Sequence, residues 1–223
     1  MSFSQKLLVA LFRGVTDCMF RVHAEEIPLV PGQGPLILVM NHINMWEIPL
    51  MYARLQPRPI HGLVLADRWK NRIVGWGLDA CNSIPLERGG SNLDSMKRSL
   101  EVLKAGEILL IMPEGTRSGD GKLQVGHPGV LLLALRSGAP ILPLVTHGGE
   151  SYWRNLKKLR RTDFWVHVGK PFKLRMPSGG MDANTRQKMI DEVMWQMAAC
   201  LPPNYRGRYA NLQEATQDSL VFI

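Results

Sequence analysis

The sequence predicts an α/β domain: a largely parallel central sheet flanked by helices, preceded by an amphipathic N-terminal helix. Three observations carry this. Apolar strand-like runs and helix-period segments alternate in units of about 30 residues, as parallel crossover connections require. The chain has 223 residues and is 45% hydrophobic, enough for one sizeable core and short for two, so residues 1–223 read as a single domain. Residues 3–22, FSQKLLVALFRGVTDCMFRV, repeat apolar side chains with a helical period ahead of the first strand.

The elements follow in chain order. Residues 1–24 form the N-terminal helical element. On it Phe3, Leu7, Leu11, Val15, Cys18 and Val22 share one face, and Leu8, Phe12 and Met19 widen that face. Lys6, Arg13, Asp17 and Arg21 gather opposite, within roughly 80° at about 100° per residue. So wide an apolar arc either packs into a core or lies in a membrane interface, and the pattern leaves both open. After the turn-rich VPGQGP, residues 35–41 form a buried strand and 46–55 a short helix. A strand over 60–67, a helix over 69–80 and a short strand over 82–88 come next. Residues 92–106 are a surface helix, capped by Asn92 and stopped by Gly106. Residues 107–115 run from a strand into a loop. A buried helix over 128–138 starts at Pro128 and ends at Gly138. Strands are expected over 139–147 and 163–172, and a long amphipathic helix over 182–201, capped near Asp182 or Asn184. Residues 202–223 are a tail of weaker periodicity.

The formal net charge is +8, which suits nucleic acid, an anionic membrane surface, or an acidic protein or substrate. No nucleic-acid module is present: there is no zinc-finger spacing, no aromatic-rich strand motif and no basic region with heptads. The one dense basic cluster is RNLKKLRR, Arg154 to Arg161. A solvated helix face is its default reading. A lipid surface competes, in a chain with six tryptophans and twelve methionines. Three cysteines, Cys18, Cys81 and Cys200, lack metal-ligand spacing and suit a reducing, intracellular compartment. No run of about 18 apolar residues occurs, so no regular membrane-spanning helix is expected. LLVALF is too short for a secretory signal.

A sheet of this class binds ligands at the carboxyl ends of its strands. Three polar groups follow apolar strand runs: Asn41-His42, Glu87-Arg88 and the loop PEGTRS, Pro113 to Ser118. The nearest acid after His42 is Glu47. On one regular helix a five-residue spacing separates side chains by about 140°. If the chain bends between strand and helix, the two can meet: the carboxylate would fix the ring's tautomer while the other nitrogen takes a proton from a hydroxyl. The competing reading is a capping box with Asn44 as N-cap and Glu47 reaching back to it, which Pro49 weakens. Spacing alone favours the cap. Arg117 could bind a phosphate or carboxylate through paired hydrogen bonds, or merely brace the loop against Glu114. Arg88, beside Glu87 and Gly89-Gly90, has the same two readings.

Together and in this order, these segments resemble the PlsC-type 1-acyl-glycerol-3-phosphate acyltransferase family of glycerolipid acyltransferases. The motifs are NHINMWE (Asn41 to Glu47), IPLER (Ile84 to Arg88), PEGTRS (Pro113 to Ser118) and APILPLV (Ala139 to Val145). The resemblance covers most of the chain. It implies an O-acyltransferase domain that moves a fatty acyl group from an acyl thioester to the hydroxyl of a lysophospholipid. First among the acceptors is 1-acyl-glycerol-3-phosphate, giving phosphatidic acid. His42 would be the general base and Glu47 its orienting partner. Arg88, Glu114, Gly115, Thr116 and Arg117 would hold the acceptor, and the region of Pro143 would border the acyl chain or donor. The resemblance implies no bound cofactor and no metal, with acyl-CoA or acyl carrier protein as donor substrate. It also implies a peripheral or monotopic enzyme on the cytoplasmic side of a membrane. Residues 3–22 would dock it, with Trp69, Trp76 or the Arg154–Arg161 cluster as further contacts. The family usually has aspartate where this chain has Glu47 and serine where it has Asn44. Two alternatives follow: an acyltransferase for another lipid or alcohol acceptor, or an inactive lipid-binding relative.

Overall fold

The computed structural model describes residues 3–87, 92–177 and 179–223. The segments LILV and ILLI are apolar at every position because the strands they form are covered on both faces. In chain order the elements begin with α1 (Phe3–Met19), β1 (Phe20–His23), β2 (Leu36–Val39), α2 (Glu47–Arg54) and β3 (Ile60–Leu65). They continue with α3 (Arg72–Ala80), β4 (Ile84–Leu86), α4 (Leu93–Lys104), β5 (Ile108–Ile111), α5 (Gly129–Ser137) and β6 (Ile141–His147). The last are α6 (Tyr152–Leu156), β7 (Thr162–Val168), β8 (Phe172–Leu174), α7 (Ala183–Ala199) and β9 (Leu220–Phe222).

The sheet runs β1-β7-β6-β2-β5-β3-β4, with β8 and β9 added beside the start of β6. Strands β6, β2, β5, β3 and β4 are mutually parallel, so their carboxyl ends share one edge. β7 pairs antiparallel with β6 and carries β1. Alternate side chains divide the core. Ile37, Val39, Leu109 and Ile111 pack beneath α4, α5 and α7, while Leu36, Leu38, Ile108 and Leu110 pack beneath α1 and α2.

The expected α/β class with a mostly parallel sheet is what the chain adopts. Several expectations are corrected. The helix expected over 3–22 ends at Met19, because Phe20–His23 pair with β7 as an edge strand. Its inward side is the one formed by Leu8, Phe12, Thr16 and Met19, while Phe3, Leu7 and Leu11 stay exposed. Packing on α2 makes that choice. Phe12 meets Tyr52 edge-on at 6.2 Å, Arg13 donates to the Ala53 carbonyl, and Asp17 pairs with Arg54. The strand expected over 163–172 is two, broken at Gly169, where a Cβ would lie 2.9 Å from Cys200 Sγ and 3.0 Å from Pro143 Cβ. Asn92 flanks α4 without capping it; its side chain accepts from the Glu87 N–H instead. Asp182 does cap α7, accepting from the Thr185 N–H at 2.7 Å. Residues 202–223 fold back as short 3-10 turns and β9, so the expected tail supplies an edge strand. Among the described residues no helix is long and apolar enough to cross a membrane.

Candidate active site

Two parallel strand ends stand side by side at the sheet's carboxyl edge: β2 running into Asn41-His42, and β5 running into Pro113-Glu114. The β6 end is tied to the first of them by Asn41. Its buried side chain donates to the Thr146 carbonyl at 2.9 Å and accepts from the Thr146 N–H at 2.8 Å. That pair of bonds ties the chain to β6 two residues beyond the end of β2 and fixes where it leaves the sheet.

His42 follows at that point. The chain then bends through residues 44–46 before α2 begins at Glu47. The bend removes the unfavourable helical spacing. His42 Nδ1 lies 3.0 Å from Glu47 Oε2. The ring is 15% exposed and the carboxylate fully buried. Glu47 also accepts from the Asn44 N–H, at 2.9 Å and 3.1 Å to its two oxygens. The backward capping bond and the imidazole contact therefore coexist in one carboxylate. Asn44 is not the N-cap, however. The helix starts after Trp46, and the Asn44 side chain accepts from the Trp46 N–H and donates to the Gly149 carbonyl. The later start puts Pro49 in the first helical turn, where a missing N–H costs nothing.

Burial pushes the Glu47 carboxyl above its usual range, against the pull of the His42 ring, the Asn44 N–H and the Arg117 charge. As an ionised acceptor, Glu47 takes the Nδ1–H of His42. Nε2 is then left with a free lone pair on the partly exposed side of the ring.

The PEGTRS loop is stitched to the histidine segment. Ser118 N–H donates to the His42 carbonyl at 2.8 Å, and Gly119 N–H to the Ile43 carbonyl at 3.2 Å. Glu114 is buried beneath this seam. Its Oε1 accepts from the His42 N–H and its Oε2 from the Gln124 N–H, both at 3.0 Å. Glu114 thus holds two loops together and turns no oxygen outward. Burial pushes its carboxyl up as well. Gly115 has φ +65°, and a Cβ there would come within 3.3 Å of the His127 ring. Thr116 and Arg117 are exposed on the outer side of the loop, with the Arg117 charge near enough to act on Glu47.

The structure thus brings His42, Glu47, Glu114, Gly115 and Arg117 to one sheet edge. Arg88 lies outside the described residues. Pro143 is not brought to the site: it is buried within β6, opposite Val39 and packed near Gly169. An apolar groove of about 450 Å³ opens instead beside Gly115 and His127, lined by Leu63, Met96, Ile111 and Leu133. Gln124 and His127 are contributors that the motif pattern did not single out, and Asn41, though it opens the first motif, was given no role of its own. Asn41 was visible as a polar residue directly after an apolar strand, and no local signal marks the other two.

A family model described as Acyltransferase matches residues 20–147, more than half of the chain and all four motifs. The chain belongs to the Acyltransferase family. The chloroplastic 1-acyl-sn-glycerol-3-phosphate acyltransferase LPAT1 of Arabidopsis thaliana is 36% identical over 132 residues, covering 58% of this chain and 36% of that protein. The 1-acyl-sn-glycerol-3-phosphate acyltransferase of Streptococcus pneumoniae is 28% identical over 173 residues, covering 76% of this chain and 59% of that protein. The chain therefore spans less than two thirds of the length of either relative. The crystal structure of PlsC from Thermotoga maritima, a 1-acyl-sn-glycerophosphate acyltransferase, superposes with a TM-score of 0.61 at 22% identity. It covers 85% of this chain and 76% of that one, and so shares the fold.

Proposed function

We propose that this member of the Acyltransferase family transfers a fatty acyl group from an acyl thioester to the free hydroxyl of 1-acyl-glycerol-3-phosphate, giving phosphatidic acid. The observation that carries the reading is the His42–Glu47 contact of 3.0 Å beside an exposed arginine loop. His42 Nε2 takes the hydroxyl proton as the alkoxide forms its bond to the thioester carbonyl. The tetrahedral intermediate then collapses, the C–S bond breaks, and the imidazolium returns the proton to the leaving thiolate. No acyl-enzyme is formed. Glu47 holds Nδ1–H and stabilises the transient imidazolium. Arg117, with Arg88, binds the acceptor's phosphate, and Gly115 lets that group approach the loop backbone. Glu114 acts through the backbone of His42 as a positioning residue. The donor is acyl-CoA or an acyl carrier protein, and the groove beside Gly115 receives an acyl chain. The outward row Phe3, Leu7 and Leu11 of α1 lies in the membrane interface, on the cytoplasmic face, without spanning it.

The test is release of free CoA from acyl-CoA by the purified full chain. Release should require lysophosphatidate and vanish in His42→Ala. Undiminished turnover in that variant would remove the mechanism.

A second reading keeps the chemistry and changes the acceptor. Asn44 and Glu47, in the positions of the usual serine and aspartate, favour it. In that case an acceptor screen would find a phosphate-free lipid alcohol preferred, and Arg117→Ala would matter little.

A further inference from the structure

Most of the basic cluster Arg154–Arg161 lies beyond a helix rather than on its face. Helix α6 is only five residues long and closes in a tight reversal. Leu159 N–H donates to the Leu156 carbonyl at 3.0 Å, and Arg160 N–H to the Asn155 carbonyl at 2.9 Å. This pair of bonds is the Schellman closure, whose left-handed position normally belongs to glycine. Here it is Leu159, with φ +51° and 94% exposure. A bulky apolar residue in a conformation that disfavours it, pointing wholly into water, gains nothing for the fold.

The surroundings of Leu159 indicate what it meets. Residues 152–161 carry five basic side chains and no acid. Arg154 donates to Ser151 Oγ, and Arg161 to the Phe20 carbonyl. The side chains of Lys157, Lys158 and Arg160 make no hydrogen bond or ion pair among the described residues. Trp153, 60% exposed, lies six residues before Leu159. The tip is held firmly, since Asn155 Nδ2 donates to Thr162 Oγ1 at 3.0 Å. One rigid, projecting leucine ringed by unpaired cations offers little area to a folded protein, whose interfaces take about 800 Å² per partner. It does suit an anionic bilayer: headgroups for the cations, the acyl boundary for the leucine.

We propose that residues 152–161 form a lipid-docking spur specific for anionic membrane surfaces, with Leu159 as its inserted tip. The spur is joined to the reaction site. Tyr152 packs edge-on against Trp46 at 6.2 Å, and the turn before it takes the Asn44 side chain on the Gly149 carbonyl. It also stands beside the end of α1, since Phe20 pairs with Thr162. This deepens the membrane part of the proposed function and is independent of the chemistry at His42.

The test is co-sedimentation of the full chain with phosphatidylcholine vesicles, with and without phosphatidylglycerol. Wild type should prefer the anionic vesicles. Joint substitution of Lys157, Lys158 and Arg160 by Gln should lower that affinity on the order of a hundredfold, leaving zwitterionic binding unchanged. Leu159→Gly should raise the melting temperature, by relieving the positive φ, while lowering vesicle affinity about tenfold. His42→Ala should bind like wild type, so a failure of the acyl-transfer reading leaves this result standing. Wild-type binding by both spur variants would overturn the proposal. So would unchanged vesicle binding with a raised KM for an acyl carrier protein thioester, which would assign the spur to a protein partner.

Discussion

Glu47 and Glu114 make an instructive pair. Each is almost wholly buried at the carboxyl edge of the sheet, each has its carboxyl pushed up by burial, and each accepts a hydrogen bond from the His42–Asn44 segment. They differ in what they hold. Glu47 bonds the imidazole ring, so its charge acts on the ring's tautomer and charge. Glu114 bonds only backbone N–H groups of two loops, so its charge acts on where the ring stands. Identical side chains a few ångströms from one histidine thus divide into orienting a ring and bracing its support.

The largest expected effect follows from that difference. Glu47→Gln offers an N–H₂ group to Nδ1 and selects the wrong tautomer, so kcat should fall ~10²–10⁴-fold with little loss of stability. Parallel steady-state kinetics and thermal unfolding check both halves, and a lowered melting temperature would assign Glu47 to bracing as well. Glu47→Asp should cost less, ~10–10²-fold in kcat, because the shorter arm cannot reach the ring and the Asn44 N–H together. Glu114→Gln should reverse the pattern. One backbone N–H loses its acceptor, so stability should fall by about 1–3 kcal/mol, while activity falls only ~10-fold through displacement of His42. Urea unfolding against kcat separates these outcomes.

The smallest effect is in pH dependence. Burial holds the Glu47 pKa above its ordinary value of 4.5, so the folded chain keeps that proton after the unfolded chain has released it. Relative to Glu47→Gln, wild-type stability should therefore fall as pH rises from about 4.5 through the folded pKa, and the gap should stay constant above it. A gap that widens towards acid would mean that Glu47 is held as a favoured anion instead.

Much of this was legible along the chain. Continuous apolar runs ending in polar residues marked β2 and β5 and placed His42 and Glu114 at strand ends. The motif order pointed to the family that the comparisons then showed. Residue spacing could not choose between a cap and a partner for Glu47, because the choice turns on a three-residue bend before α2. Pro49 conflicts with a helix capped by Asn44 but not with one that starts at Glu47, where it falls in the first turn.

By itself, then, the sequence determined the parallel sheet, the edge that carries the candidate site and the motifs that meet there. Those depend on the period of apolar residues and on short motifs, both local properties. Tertiary structure decided which side of α1 faces inward, that Glu114 braces rather than faces outward, that Pro143 lies within the sheet, and that Leu159 stands out in water. A helix apolar around most of its surface has no preferred side until α2 offers Tyr52 and Arg54 to one of them. A buried carboxylate likewise has no role until another strand end brings it an N–H or a ring.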